Sequence, residues 1–166
     1  MTKLESARLL LTSWTLADAA EAFALWGDAS VMRFVGTPHR DVSRSEDALT
    51  EAIASEERHG VCLWRVRAAM QEPLGCCGFH VYDGPGSRRP ATRWLELAYH
   101  LRPSAWGRGY ATEAARRCIE HARTQGWSHV VALCHPHNLA SARVLDKLGF
   151  VHDGDEGEQT RRLLVL

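Results

Sequence analysis

The stretch Glu96–Gln125, reading ELAYHLRPSAWGRGYATEAARRCIEHARTQ, constrains the fold more than any other, because an apolar strand-like run meets a glycine-bearing turn that opens an amphipathic helix. Trp94–Leu101 reads as the strand and Arg102–Trp106 as the turn. Gly107, Arg108 and Gly109 lead into a helix predicted over Ala111–Gln125 and stopped at Gly126. Bare backbone N–H groups converge at such a helix start and the dipole adds positive charge, so a phosphorylated ligand is expected there. Glycines at 107 and 109 leave no Cβ in its way. The P-loop pattern fails, because Tyr110 and Ala111 stand where Lys-Ser/Thr is needed. The dinucleotide fingerprint lacks its third glycine and the βαβ layout.

The rest of the chain supplies elements for a mixed sheet. Arg8–Trp14 is an apolar first strand, and Thr15-Leu16-Ala17-Asp18 has the form of a capping box ahead of the helical run ADAAEAFALW. Phe23 and Trp26 fall on its apolar face. Gly36, Thr37 and Pro38 mark a loop, and Ser43–Arg58 is a charged helix, capped at Ser43 or Ser45, ending at Gly60 and packed by Leu49 and Ile53. It is a solvated helix or a lid over an acceptor. Val61–Ala68 and Leu74–Val81 form a hairpin about Gln71, Glu72 and Pro73, and 82–92 is turn-rich, with Arg88 and Arg89 exposed in it. Ser128–Cys134 is a strand, Asn138–Leu148 a helix stopped by Gly149, and Phe150–Asp153 and Thr160–Leu166 are strands separated by the acidic DEGE turn. The sum is a single α/β domain over residues 1–166, a mixed sheet of about seven strands and four helices in the order β-α-α-β-β-β-α-β-α-β-β.

With 20 basic and 20 acidic residues the formal charge is zero, so no strong field invites nucleic acid or an anionic membrane. Five cysteines without paired C-x-x-C spacing, four in predicted strands and one in a helix, read as reduced buried thiols. His135 and His137 lack an evident third ligand, so no metal is expected. There is no apolar leader and no run long enough to span a bilayer, which points to the cytoplasm.

The pattern Trp106-x-x-Gly109-x-Ala111 resembles motif A of the GNAT N-acetyltransferases, Gln/Arg-x-x-Gly-x-Gly/Ala, with Trp106 replacing the opening residue. Glu96, Tyr99, Leu101, Pro103, Trp106, Gly107, Gly109, Tyr110, Ala111, Thr112, Glu113 and Ala114 together look most like the branch of ribosomal-protein alanine acetyltransferases. A second block, NLASARVLDKLGF from Asn138 to Phe150, resembles the family's N-x-x-S/A…K-x-G-F segment.

That resemblance implies the acyl-CoA N-acyltransferase fold, in which the central parallel strands splay around the pantetheine arm, with acetyl-CoA as co-substrate. Backbone groups of Tyr99, His100 and Leu101 would pair with the pantetheine. Trp106, Gly107, Arg108, Gly109, Tyr110, Ala111 and Thr112 would cradle the pyrophosphate, and the side chain of Asn138 would bond the arm. Arg143 on the following helix is a further candidate for the phosphates. Many relatives carry a proton-donating tyrosine where this chain has Leu145, so Ser141 is the substitute, a turn after Asn138 on the same face. Glu96 is the candidate base, with His100 and His80 as alternatives, and a regular strand places Glu96 and His100 on one face. The implied reaction is direct acetyl transfer to a primary amine in a ternary complex. A protein N-terminus is the first choice of acceptor and a small-molecule amine the rival. Outside catalysis, the chain reads as an acyl-CoA sensor that kept only the cofactor grip. An exposed last strand would allow a homodimer.

Overall fold

The computed structural model describes residues 2–68, 72–84, 87 and 93–166. Its sheet has eight strands in the order β1-β2-β3-β4-β5-β6-β8-β7: β1 (Lys3–Glu5), β2 (Leu9–Thr12), β3 (Leu63–Ala68), β4 (Pro73–Val81), β5 (Trp94–Leu101), β6 (His129–Cys134), β7 (Val151–Glu156) and β8 (Gln159–Val165). Five α-helices lie on its faces: α1 (Ala19–Trp26), α2 (Ala29–Met32), α3 (Val42–His59), α4 (Tyr110–Thr124) and α5 (Leu139–Leu148). The class matches the sequence expectation; the counts differ by β1 and α2. Lys3–Glu5 is too short to show a period in sequence and exists because it pairs with β2. α2 is a single turn whose cap is Asp28, which accepts from Ser30 and Val31.

Several boundaries move for local reasons. The cap of α3 is Asp41, whose carboxylate accepts from Arg44 N–H at 3.1 Å, and not Ser43 or Ser45. Ser45 is instead fully buried against Nδ1 of His39 at 2.8 Å. At the Thr15 box, Oδ2 of Asp18 accepts from both Thr15 N–H and its hydroxyl, and Leu16–Asp18 forms a 3₁₀ turn before α1. Acidic residues 155 and 156 extend β7, so the hairpin turn is Gly157-Glu158. Cys62 falls just before β3, which leaves three cysteines in strands, and all five are free and buried. The last strand is not an edge strand, since β8 sits between β6 and β7 and the outer strand is β7. Gln71, Arg88 and Arg89 lie outside the described residues.

Strand alternation divides the core into two layers. Leu95, Leu97 and Leu101 of β5 point to the side covered by α4, where they meet Phe79, Ala115 and Cys118. Cys76 and Ala98 point to the side covered by α1, α2 and α3, with Trp26, Met32 and Leu49. Trp64 is fully buried in the first layer, edge-on to Phe79 (6.4 Å) and His121 (5.3 Å). Trp64→Ala is expected to cost about 3–5 kcal/mol in urea unfolding, with the midpoint falling and the slope unchanged.

Candidate active site

The site begins where one ladder ends. β5 and β6 are parallel neighbours, but their pairing stops at Glu96↔Val131, although β5 runs on to Leu101 and β6 to Cys134. On the other flank β5 pairs with β4 without a break from Leu95 to Leu101, so it is β6 that turns away. The two strands form a V with Glu96 at its apex, and the β6-side edge of Leu97–Leu101 is left without a strand partner. A main-chain edge of this kind accepts an extended ligand as if it were another strand. Beyond the open end, Trp106 closes one acceptor by donating its indole N–H to the Leu101 carbonyl at 2.7 Å.

The glycine turn follows directly. Trp106–Gly109 is exposed, Gly107 and Gly109 hold left-handed φ values of +71° and +79°, and Gly109 is the N-cap of α4 with no side chain capping the helix. The first N–H groups of this fifteen-residue helix therefore have no side-chain cap among the described residues. Arg108 carries no ion pair among the described residues, and its guanidinium lies 4.9 Å from the centroid of the buried Tyr110 ring. Arg143 is exposed on α5, likewise without an ion pair among the described residues. An open strand edge ending at an uncapped, positively charged helix start fits an elongated ligand with phosphates at one end.

The proposed side chains fall on opposite faces of β5. On the α5 side, the Tyr99 hydroxyl and Ser141 Oγ are 2.7 Å apart, and Ser141 N–H donates to Asn138 Oδ1 at 3.2 Å. Asn138 thus caps α5 with its oxygen and keeps its amide N–H₂ for other work. Burial holds the Tyr99 phenol well above its usual value, so it stays protonated. The sequence reading assigned only the backbone of Tyr99. Its hydroxyl lies on the α5 side beside Ser141, while Leu145 is buried in the core.

On the other face, the uninterrupted register places His80 across from Glu96 and Cys76 across from His100, as the regular strand required. Burial raises the Glu96 carboxyl, and the nearby Glu156 raises it further. Glu156 is brought there by the β7–β8 hairpin, which reaches back far enough for the Tyr82 hydroxyl to donate to it at 2.7 Å. Next to this face lies a cavity of about 170 Å³, lined by Trp26, Met32, His39, Leu63, Phe79 and His100 among others, with exposed Glu51 and His80 at its edge. Nε1–H of Trp26 donates to Nδ1 of His100 at 3.0 Å. An indole N–H only donates, so the proton of His100 sits on Nε2. Burial, then the neighbouring His80 and His39, drives the His100 pKa down to about 4. His100 is therefore a neutral fixture of the cavity and a poor base near neutrality. Among the described residues no group of three His, Cys, Asp or Glu side chains is placed to hold a metal, and no helix is long and apolar enough to cross a membrane.

A family model for the acetyltransferase (GNAT) domain matches residues 8–151. The chain belongs to the GNAT acetyltransferase family. It is 29% identical over 157 residues to an uncharacterized N-acetyltransferase, p20, of Bacillus licheniformis, covering 93% of this chain and 85% of that one. The fold is shared with a ribosomal L7/L12 α-N-protein acetyltransferase solved with coenzyme A (TM-score 0.83, 15% identity, 99% and 98% of the two chains). It is shared too with a Vibrio cholerae spermidine N-acetyltransferase (TM-score 0.77, 14% identity, 96% of each chain). GNAT membership makes this chain an acetyltransferase; these fold neighbours act on different amines.

The His100 environment sets a pH dependence. The folded state refuses the proton that the unfolded chain takes up near the usual value of 6.5, so stability is intact above pH 6.5 and declines as pH falls toward about 4. In His100→Gln, urea midpoints measured across that window are expected to fall less steeply with acid, by about one bound proton.

Proposed function

We propose that the protein transfers the acetyl group of acetyl-CoA to a primary amine, in one step within a ternary complex. The parting of β5 from β6 beside the uncapped start of α4 carries this reading, because it provides a main-chain edge for the pantetheine and N–H groups for the pyrophosphate in one line. Tyr99, His100 and Leu101 offer backbone groups along that edge. Gly107–Thr112 offer amides, Arg108 offers charge, and the Asn138 amide reaches the arm from α5.

The chain's own groups divide the proton traffic. Glu96, at the apex of the V, takes the proton from the acceptor ammonium, and its raised pKa makes it a better base than a solvated glutamate. The freed nitrogen lone pair forms the N–C bond as the C–S bond breaks. A backbone N–H of the open edge stabilises the charge gathering on the carbonyl oxygen. Ser141 then delivers a proton to the departing sulfur and regains one from solvent through the Tyr99 hydroxyl, which ends protonated as it began, while the acetylated nitrogen sheds its second proton to water. Base and acid stand on opposite faces of one strand, so the amine arrives on one side and the thiolate leaves on the other.

The acceptor we favour is the α-amine of a protein N-terminus. The cavity on the Glu96 face is of side-chain size, and among the described residues Glu51 is the single carboxylate in its lining, which suits a monocation better than a polyamine or aminoglycoside.

Calorimetric titration with acetyl-CoA is expected to show binding in the wild type and none in Gly109→Asp, whose backbone must hold a left-handed φ and whose carboxylate puts negative charge at the phosphate end. Failure of the wild type to bind would sink the reading. With peptide N-termini and small amines as acceptors, Glu96→Gln is expected to lower kcat/KM about 10²-fold or more while acetyl-CoA binding persists. In the wild type, kcat/KM should climb with pH through a limb above the ordinary glutamate range, since the carboxylate form is the active one. Unchanged turnover in both Glu96→Gln and Ser141→Ala would overturn the assigned roles.

A further inference from the structure

We propose that Arg8, just ahead of β2, is a positioning residue of the phosphate-binding turn: it braces Gly107–Thr112 from outside and keeps one edge of its guanidinium for the phosphates, an inference that rests on the acetyl-CoA reading above. The backbone N–H of Arg8 donates to Glu113 Oε1 at 2.8 Å, its Nε to Oε2 at 2.7 Å, and its Nη1 to the Arg108 carbonyl at 3.0 Å. The Ser6 hydroxyl adds a bond to Oε1 at 2.7 Å. Three donors thus hold one carboxylate in the first turn of α4, and a fourth holds the peptide between the two left-handed glycines. Such glycines allow the turn its shape but do not stiffen it, so stiffness has to come from a neighbour.

The remaining edge of Arg8 faces the turn. A Cβ built on Gly109 would lie 3.5 Å from Nη2, and that nitrogen makes no hydrogen bond among the described residues. The guanidinium lies 4.7 Å from the Tyr110 ring centroid, on the ring that Arg108 also covers at 4.9 Å. Two guanidinium groups against the one carboxylate of Glu113 leave a single positive charge beside the helix start, where an anion lowers their mutual repulsion. Arg8 is not a buried strut, for its side chain is 49% exposed and surface ion pairs add little to global stability. Its bonds serve the local shape of the turn.

The test is titration of wild type, Arg8→Ala and Arg8→Lys with acetyl-CoA, its 3′-dephospho form and S-acetylpantetheine, with melting curves alongside. Arg8→Ala should weaken acetyl-CoA binding about tenfold, flatten its dependence on salt, leave S-acetylpantetheine affinity unchanged, and shift the melting temperature little. Lysine should restore less than half of the loss, since an ammonium cannot make the fork of bonds to Glu113 and Arg108 together. If the weakening applies equally to the dephospho form, the pyrophosphate is the partner; if it vanishes there, the 3′-phosphate is. Wild-type affinity in Arg8→Ala, or a loss extending equally to S-acetylpantetheine, would overturn the inference. Absence of acetyl-CoA binding in the wild type would instead bring down the reading beneath it.

Discussion

Backbone hydrogen bonding governs this molecule, and the decisive case is a ladder that stops early. Main-chain N–H and C=O groups inside a protein need partners, and a sheet usually provides them along its full length. Here β5 keeps every partner on the β4 side and loses those on the β6 side after Glu96. β6 remains paired with β8 as far as Cys134, so its departure costs it nothing on that flank. The gap lies between two parts of the sheet, each paired on its outer side, that meet only at the narrow end. The glycine turn, the uncapped helix and the Tyr99–Ser141 bond are all arranged around that opening.

The core layers on the two faces of the sheet differ in make-up. The α4 layer is continuous, with Trp64, Phe79, Cys118 and Ala115 packed without exposure worth noting. The layer under α1 and α3 is smaller and mixes aromatic rings with imidazoles, Trp26 touching Trp14, His39 and His100. Ion pairs at the rim, Arg65 with Asp18 and Arg67 with Glu21, tie the start of α1 to β3.

Much of this was legible in the chain. The glycine turn announced itself, since Gly107, Gly109 and the periodic helix after them form a local pattern that needs no distant information. Gly60 and Gly149 ended helices as glycines do, in the left-handed conformation. The splay was known only by resemblance, because no residue of β5 or β6 taken alone says where their pairing stops. The Tyr99–Ser141 contact joins residues far apart in sequence, and an alternating strand pattern gives the parity of a tyrosine without the identity of what it meets. The cap of α3 was misread because Asp41, Ser43 and Ser45 all suit a helix start; burial against His39 took Ser45 out of contention, and only three-dimensional packing reveals that. The position of β8 inside the sheet is a further case, since a strand order is a fact about the whole chain.

Parity along β5 also separates two kinds of evolutionary freedom. Positions 96, 98 and 100 look toward the face that carries α1, α2, α3 and the cavity, whereas 97, 99 and 101 look toward α4 and α5. Drift at the even positions, and at their β4 neighbours, can reshape one chamber while the other keeps its outline. On the proposed reading, a lineage built on this strand is free to change what it acts upon without relearning how to hold what it spends.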